Sequence, residues 1–373
     1  MKLAITGFSN SGKTTVFNAL TGLELETTPY PVSASADVEP RTGVVKIPDP
    51  RVDRLSSIYL PKKTTYATVE YIDYVGITSA AAGGDVSQNT KVFNLLRDAD
   101  AVVHVVRAFR DDSVMHPLGG TDPLRDIASF EDELILGDLE LVEKRLQKIE
   151  EQEKKGRKQN PADRRLLLKC RNALEEETSL RDIEFNDEEK RLMLPYQFLT
   201  TIPEIIVLNI GEGDINSPEV KALLDKTEKY FRGKGRGAVP PVVPLCGKIE
   251  MEIAQLPPDE AGEFLDDLGI EESAMHRLCR VSYEALGLIS FFTVGRDEVK
   301  AWTVKKGTSA HRAAGRIHSD IERGFIRAEV VSYDDLISSG GDMVRARERG
   351  LVRLEGKTYE VRDGDIINFK FNV

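Results

Sequence analysis

One short segment near the amino end constrains this chain more than any other feature, since residues 7–14 read GFSNSGKT. They fit the pattern GxxxxGK[ST], which joins a strand to a helix in nucleotide-binding proteins. The glycines let backbone N–H groups close around phosphate oxygens, and the helix that follows adds a positive partial charge. Lys13 is expected to reach the β- and γ-phosphates, and the Thr14 hydroxyl to hold Mg²⁺. The sequence therefore predicts nucleotide contacts at Asn10, Ser11, Gly12, Lys13, Thr14 and Thr15.

Apolar strands alternate with helical patterns around this loop. A strand at residues 3–5 precedes it, and a helix at residues 15–20 follows it. Residues 101–106 read AVVHVV, a continuous apolar run typical of a strand buried on both faces. Strands separated by helices predict an α/β fold with a mostly parallel, doubly wound sheet. Residues 205–208 and 242–245 are two more apolar runs predicted as strands of this buried kind, and a further strand with alternating pattern is predicted at residues 68–72.

A helical segment interrupts this alternation between residues 130 and 195. Its apolar positions Ile135, Leu139, Val142, Leu146 and Ile149 are spaced like the seam of a helix pair. A break at residues 156–161 precedes a second helix with Leu167, Cys170 and Leu174 on one stripe. The pattern predicts an inserted antiparallel helical hairpin. The basic residues near its tip are typical of a solvated turn, and an electrostatic contact arm is the alternative.

The last block, residues 288–373, has a different texture. Short strands are predicted at residues 301–304, 325–330 and 366–371, with one helix over residues 310–322. Mixed short strands around one helix indicate a small α+β module with its own core.

A second phosphate-site motif follows the strand at residues 68–72, where residues 73–76 read DYVG. An acidic residue at this place orders the Mg²⁺ shell in phosphate-loop proteins, and the glycine N–H can meet the γ-phosphate. We therefore predict Lys13, Thr14, Asp73 and Gly76 as the catalytic set, with Thr14 and Asp73 at the metal. The next residue, Ile77, stands where related enzymes use a glutamine to orient water, and isoleucine can form no hydrogen bond.

The base-recognition position is predicted at Asn209, Ile210 and Glu212, directly after the strand at residues 205–208. A guanine-specific site normally reads NKxD here, and the aspartate accepts from the N1–H and N2–H₂ edge of the base. The longer Glu212 carboxylate would crowd that edge, whereas Ile210 could pack on a purine face. This favours ATP over GTP, and the alternative is that Asn209 and Glu212 only cap a loop. Cys246 lies where a third base-contacting loop belongs.

Composition limits the compartment and the partners. No apolar run approaches the length of a membrane span, and the three cysteines are isolated, which fits a reducing, cytoplasmic setting. The formal net charge of −11 means that any nucleic-acid contact must come from a local patch. The five histidines do not cluster, and His104 inside a buried strand is interpreted as a satisfied core residue. The oligomeric state is left open.

The chain resembles the YchF family, the Obg-like ATPases, along essentially its whole length. Matching segments begin at Gly7 (GFSNSGKTTVFNALTG), Ile47 (IPDPRVDRL) and Glu298 (EVKAWTVKKGTSAHRAAGRIHSDIERGF). The resemblance implies a Ras-like G domain at residues 1–129 and 196–287, a hairpin insertion at 130–195 and a ubiquitin-like TGS domain at 288–373. It implies a hydrophobic residue in place of the catalytic glutamine, base recognition through NxxE, and docking on ribosomes or RNA. It also implies a K⁺ ligand at Asn10.

Two segments depart from the family pattern. Asp37 stands where the family has a switch I threonine; an aspartate could still bind Mg²⁺ but would repel the γ-phosphate. Residues 78–85, TSAAAGGD, lack the lysines of the family's switch II. These changes leave nucleotide binding expected and make slow hydrolysis the prediction.

Two function hypotheses follow. The first is a switch that binds ATP or GTP with Mg²⁺, hydrolyses it slowly and regulates docking on a ribosome or RNA. The second is a nucleotide-binding interaction module with little or no hydrolysis. A small-molecule kinase is disfavoured, because the C-terminal module gives no reason for an acceptor site.

Overall fold

A computed structural model describes residues 1–23, 25, 40–74, 76–78, 86–158, 160–234, 239–270 and 272–372. The chain divides into two compact units. The first unit comprises Met1–Gly43 and Glu70–Leu278, and the second comprises Val44–Val69 and Cys279–Val373.

The strands and helices are numbered in chain order. The strands are β1 (Lys2–Thr6), β2 (Arg41–Lys46), β3 (Lys63–Thr65), β4 (Thr68–Asp73), β5 (Ala101–Arg107), β6 (Glu204–Asn209), β7 (Val242–Leu245), β8 (Leu288–Thr293), β9 (Glu298–Lys305), β10 (Phe325–Ser332), β11 (Arg353–Glu355) and β12 (Asp365–Phe371). The helices are α1 (Lys13–Thr21), α2 (Pro50–Tyr59), α3 (Val86–Leu96), α4 (Pro123–Lys154), α5 (Pro161–Glu175), α6 (Asp187–Met193), α7 (Pro218–Gly233), α8 (Gly247–Gln255), α9 (Pro258–Asp267), α10 (Ala274–Ala285), α11 (Ala310–Ile317), α12 (Ser319–Arg323), α13 (Tyr333–Ser338) and α14 (Met343–Glu348).

The first sheet has the strand order β2-β4-β1-β5-β6-β7. Its pairs β1–β4, β1–β5, β5–β6 and β6–β7 are parallel, which confirms the predicted mostly parallel sheet. Every residue of β5 and β6 is buried, as their unbroken apolar runs predict. The prediction for residues 242–245 was right in position and wrong in burial, because β7 is an edge strand with only Val243 and Leu245 buried. An edge strand also tolerates Pro244.

The predicted helical hairpin is confirmed between β5 and β6. Helices α4 and α5 pack through a shared apolar cluster that includes Ile135, Val142, Leu146, Ile149, Leu167, Cys170 and Leu174. Asp138 of α4 anchors the base of the hairpin, since its carboxylate accepts from the backbone N–H groups of Leu199 and Thr200 and from Arg97. Burial raises the pKa of Asp138, with those donors opposing the shift. Because a buried carboxylate is costly without its donors, these hydrogen bonds fix the position of α4 relative to residues 199 and 200.

The second unit carries a sheet of order β11-β10-β12-β8-β9-β3. Strands β8 and β12 are parallel neighbours, and the pairs β8–β9, β10–β12 and β10–β11 are antiparallel, which is the β-grasp arrangement. Helix α11 packs on this sheet through Ala310, Ala313 and Ala314.

The single helix predicted over residues 310–322 was wrong, because α11 and α12 are separate. His318 between them is extended, at φ −163°, and its Nδ1 accepts from the backbone N–H of Asp320 to start α12. Side-chain capping therefore competes successfully with helix continuation at this position.

Residues 44–69 complete the second unit. Strand β3 pairs in parallel with β9. Within α2, Arg51 bonds both Asp49 and Asp363, and its guanidinium lies 5.0 Å from the centre of the Phe292 ring. No helix in the described part of the chain is both long enough and apolar enough to cross a bilayer.

Candidate nucleotide-binding site

The phosphate loop between β1 and α1 has a backbone that only glycine can supply at two positions. Gly7 has φ +143°, and a Cβ there would lie 2.3 Å from the carbonyl oxygen of Val105. Gly12 has φ +92°, and a Cβ would lie 2.1 Å from Nδ2 of Asn209. Asn10 also takes a positive φ, of 62°. These conformations turn the loop tightly and start α1 directly after Gly12, which presents the helix N-terminus to the loop.

Lys13 lies under this loop and is only 8% exposed. Its Nζ donates to the carbonyl oxygen of Phe8 at 2.8 Å. Burial lowers the pKa of Lys13 to about 8, and the nearby Asp73 carboxylate opposes part of that shift. A polyphosphate beside this ammonium would stabilise its charged form.

The two predicted metal ligands meet at the carboxyl end of β4. The Thr14 hydroxyl donates to Oδ2 of Asp73 at 3.0 Å. The other carboxylate oxygen, Oδ1, is buried and has no hydrogen-bond partner among the described residues. Burial raises the pKa of Asp73, against the opposing effects of Lys13 and Thr14. A hydroxyl beside a carboxylate with one spare oxygen fits Mg²⁺, which prefers oxygen ligands. Asp37 lies outside the described residues.

Gly76 packs directly against the phosphate loop. A Cβ there would lie 2.8 Å from Nζ of Lys13 and 2.9 Å from the backbone nitrogen of Ser9. The following residue, Ile77, donates its backbone N–H to the carbonyl oxygen of Gly7 at 3.0 Å. The Ile77 side chain is 0% exposed and belongs to the core cluster around Phe130. The residue at the position expected for water orientation therefore points into the core.

Asn209 joins the phosphate loop to the start of α8, which follows β7. Its Nδ2 donates to the carbonyl oxygen of Ser11 at 3.0 Å, and its Oδ1 accepts from the backbone N–H of Gly247 at 3.0 Å. Thr15 faces the same contact, since a Cβ on Gly247 would lie 3.3 Å from its methyl group. Cys246 is buried beside Gly247 and precedes α8, and burial raises its pKa. Asn209 thus does more than cap a loop.

The two other residues of the predicted base position differ in exposure. Ile210 is buried in the cluster that contains Cys246. Glu212 is exposed, and its carboxylate pairs with Nζ of Lys248 at 3.0 Å. Hydrogen bonding to Glu212 raises the pKa of Lys248. The structure therefore brings a carboxylate and an ammonium together beside the base loop, where the sequence analysis considered the carboxylate alone.

The sequence patterns did not predict the aromatic residue Phe109, which lies just after β5 and close to the phosphate loop. The Phe109 ring lies 4.0 Å from the Cβ that Gly12 would carry, and its Cβ atom lies 3.9 Å from the Cβ that Gly211 would carry. The Arg107 guanidinium lies over this ring, 4.5 Å from its centre. The available signal was an arginine and a phenylalanine just beyond the carboxyl end of a buried strand, where ligands bind in open α/β sheets.

Asn10 is hydrogen-bonded to the segment between β5 and α4, because its Nδ2 donates to the carbonyl oxygen of Met115 at 2.9 Å. Its assignment as a K⁺ ligand stays a prediction.

His104 is a satisfied core residue, as predicted. Its Nδ1 lies 3.2 Å from Oε1 of Glu204, and its ring stacks on Phe130 with the ring centres 3.8 Å apart.

The parallel sheet, the loop between β1 and α1, and the contact between Thr14 and Asp73 define a P-loop protein of the GTPase class. One family model, described as a 50S ribosome-binding GTPase, matches residues 2–155. Another, the YchF-GTPase C-terminal model, described as a protein of unknown function, matches residues 288–372.

Comparison with known proteins gives the family. The chain is 42% identical to the ribosome-binding ATPase YchF of Bacillus subtilis, over 99% of this chain and 98% of that protein. It is 41% identical to the protein of the same name from Pasteurella multocida, over 100% and 99% of the two chains. The solved Schizosaccharomyces pombe YchF GTPase superposes with a TM-score of 0.80 at 29% identity, covering 99% of this chain and 97% of that one. The chain belongs to the YchF family.

Proposed function

We propose that this protein binds a purine nucleoside triphosphate with Mg²⁺, hydrolyses it slowly, and uses the bound and hydrolysed states to regulate docking on a ribosome or its RNA. The contact of Thr14 with Asp73, beside the buried Lys13, is the observation that carries the proposal. Thr14 and Asp73 would hold the Mg²⁺, which supplies charge neutralisation on the phosphates when bound. The catalytic set is Lys13, Thr14, Asp73 and Gly76.

The phosphate loop provides most of the proposed affinity. Its glycine conformations turn the loop tightly at the start of α1, and backbone N–H groups at such a helix start bind anions without any particular side chain. Gly76 completes the rim, since its backbone lies against Ser9 and Lys13. The N–H group of Gly76 would meet the γ-phosphate, which distinguishes a triphosphate from a diphosphate.

The base side supports ATP over GTP. Glu212 is paired with Lys248 through Oε2, and this ion pair competes with the N1–H and N2–H₂ edge of guanine for the carboxylate. Adenine has no 2-amino group and needs no such acceptor. The Phe109 ring offers a flat apolar surface beside Gly12 and Gly211, on which either purine could stack. The relatives from Bacillus subtilis and Pasteurella multocida carry the name ATPase, and the Schizosaccharomyces pombe protein is called a GTPase.

Slow turnover follows from Ile77. Its side chain is buried in the core and carries no hydrogen-bonding group, so this residue does not orient water. Hydrolysis would then depend on another group, on K⁺ near Asn10 or on a docked partner. The relatives' name, ribosome-binding ATPase, supports the ribosome as that partner and a cytoplasmic location for the reaction.

The experiment is steady-state phosphate release from Mg·ATP and Mg·GTP, with and without K⁺ and purified ribosomes. We expect slow release from ATP that K⁺ or ribosomes accelerate, and its loss in Lys13→Ala. Lys226→Ala, at one of the exposed lysines of α7, is the control for the loss of a lysine charge elsewhere and should keep wild-type turnover. Absence of phosphate release under every condition would reject the enzymatic part of the proposal.

The second candidate function is a nucleotide-binding interaction module without hydrolysis, which the core-facing Ile77 favours. Ribosome co-sedimentation separates the two candidates. If Lys13→Ala loses both nucleotide binding and nucleotide-dependent docking, the switch proposal is supported. If docking is unchanged while nucleotide binding is lost, the module is the better description.

A further inference from the structure

One buried side chain forms two hydrogen bonds to the backbone of the segment that follows Gly76. Asn89 of α3 is 2% exposed, and its Oδ1 accepts from the backbone N–H of Thr78 at 3.0 Å. Its Nδ2 donates to the carbonyl oxygen of the same residue at 2.6 Å. The amide therefore binds both backbone groups of Thr78, as a neighbouring strand would.

The other side of this segment is held by the phosphate loop. Ile77 donates its N–H to the carbonyl oxygen of Gly7, and it forms a parallel bridge with Phe8. Residues 76–78 are thus fixed between the loop that would cradle the phosphates and the Asn89 amide. Gly76 lies so close to Lys13 that a Cβ on it would be 2.8 Å from Nζ. Since Thr78 is only two residues further along the chain, the Asn89 hydrogen bonds that hold Thr78 also restrict the position of Gly76.

A second buried residue sets which way the Asn89 amide points. Oε2 of Glu133, on α4, lies 3.0 Å from Nδ2 of Asn89, and Glu133 is 6% exposed. A carboxylate can only accept hydrogen bonds, so it fixes the amide nitrogen of Asn89 towards itself and towards the Thr78 carbonyl. The amide oxygen is then left to face the Thr78 N–H. Helix α4 is also the first helix of the hairpin.

We propose that Asn89, oriented by Glu133, is a positioning residue that holds Gly76 where its N–H can meet the γ-phosphate. This inference rests on the proposed function, since it assumes that a triphosphate occupies the phosphate loop. It adds that discrimination between triphosphate and diphosphate depends on a pair of side chains on α3 and α4. These side chains lie outside both sequence motifs. It also places a hydrogen-bonded link between the γ-phosphate segment and the base of the hairpin.

The main test is Asn89→Asp, which keeps size and shape. An aspartate can still accept from the Thr78 N–H, but its second oxygen would face two acceptors, the Thr78 carbonyl and the Glu133 carboxylate. Loss of one such contact corresponds to about a 10-fold change in an equilibrium. We expect the affinity for a non-hydrolysable triphosphate analogue and kcat each to fall about 10-fold. The affinity for the diphosphate should stay within about 2-fold of wild type.

A second pair of variants keeps the test decisive if Asn89→Asp does not fold. Glu133→Gln retains an acceptor for Asn89 but removes its charge, so we expect a selective loss of triphosphate affinity of about 3-fold. Glu131→Gln is the matched control, because Glu131 lies on the same helix, is similarly buried and bonds Tyr230 and Lys234 instead. The double variant Asn89→Asp with Glu133→Gln should recover part of the loss, since the amide introduced on α4 would donate to the new aspartate.

Binding of both nucleotides and kcat are measured for each variant, alongside thermal unfolding. A selective loss of triphosphate affinity in Asn89→Asp, or in Glu133→Gln and not in Glu131→Gln, supports the inference. Equal losses for both nucleotides, or none, would overturn it and leave Asn89 a structural residue. If the wild-type chain itself binds no triphosphate, the proposed function fails first, and this inference fails with it.

Discussion

The two ends of the candidate site are held in different ways. At the phosphate end, Lys13 is buried, and Gly7 and Gly12 leave no room for a side chain. At the base end, Glu212 and Lys248 are 55% and 63% exposed and are held mainly by each other. The phosphate end therefore depends on backbone conformation and one buried cation, whereas the base end has an exposed ion pair and the buried Ile210.

This difference indicates where affinity and specificity would arise. Tightly packed backbone geometry gives large effects when it is disturbed, whereas exposed ion pairs contribute little because water and salt screen them. We therefore expect phosphate-end changes to abolish nucleotide binding. Base-end changes should shift the choice of purine and leave the affinity for the triphosphate tail largely intact.

The largest effect is expected for Gly12→Ala. The new Cβ would overlap the Asn209 amide and strain a backbone at φ +92°, so unfolding free energy should fall by about 3 kcal/mol and triphosphate affinity by more than about 100-fold. Gly22→Ala is the control, because Gly22 also has positive φ, at +68°, but no atom of the described residues lies within 4 Å of its Cβ position. It should cost about 1 kcal/mol and leave binding unchanged. Chemical denaturation and calorimetry measure both quantities, and equal binding by the two variants would contradict a steric role for Gly12.

The next effect concerns pH. In the free protein the pKa of Lys13 is lowered to about 8 by burial, and a bound polyphosphate would favour the charged form and raise it. Binding should therefore take up a proton above that pKa, and affinity should fall as pH rises through it. The affinity for the triphosphate at pH 9.5 should be about 30-fold lower than at neutral pH.

Titrations of the triphosphate in EDTA, at several pH values, measure this dependence without metal hydroxide chemistry. The variant Lys13→Ala should bind weakly and show a flat profile over the same range. A flat profile in the wild-type protein would show that Lys13 does not carry the charge that binds the phosphates.

The smallest effect is expected at the base end. Lys248→Met would release the Glu212 carboxylate to accept from a guanine edge, so the ratio of ATP to GTP affinity should move towards GTP by about 2- to 5-fold. Lys226→Met, at one of the exposed lysines of α7, is the control. Competition binding of the two triphosphates reports the ratio. An unchanged ratio of ATP to GTP affinity would show that the ion pair between Glu212 and Lys248 does not influence the choice of base.

Much of the first unit could be predicted from sequence because local patterns determine it. The long apolar runs of β5 and β6 favour burial on both faces, and the spacing of apolar residues from Ile135 to Ile149 favours one buried stripe of a helix. The phosphate loop could be located because its glycines are required by backbone geometry at fixed spacing.

Contacts between residues distant in sequence could not be predicted from local sequence patterns. Nothing around Asn89 or Glu133 marks them as partners of Thr78, because the pairing depends on how α3 and α4 pack. The pairing of Lys248 with Glu212 arises in the same way, because Lys248 in the first turn of α8 and Glu212 beyond β6 follow neighbouring strands. The break at His318 was missed because its apolar neighbours continue a helical period, and a side-chain cap overrides it.

The most direct measurement is a calorimetric titration of the full-length protein with non-hydrolysable analogues of Mg·ATP and Mg·GTP. We expect saturable one-site binding of the ATP analogue, weaker binding of the GTP analogue, and no detectable binding of either by Gly12→Ala. A wild-type protein that shows no heat of binding with either analogue, at concentrations well above those in cells, would contradict a polyphosphate site at residues 7–14.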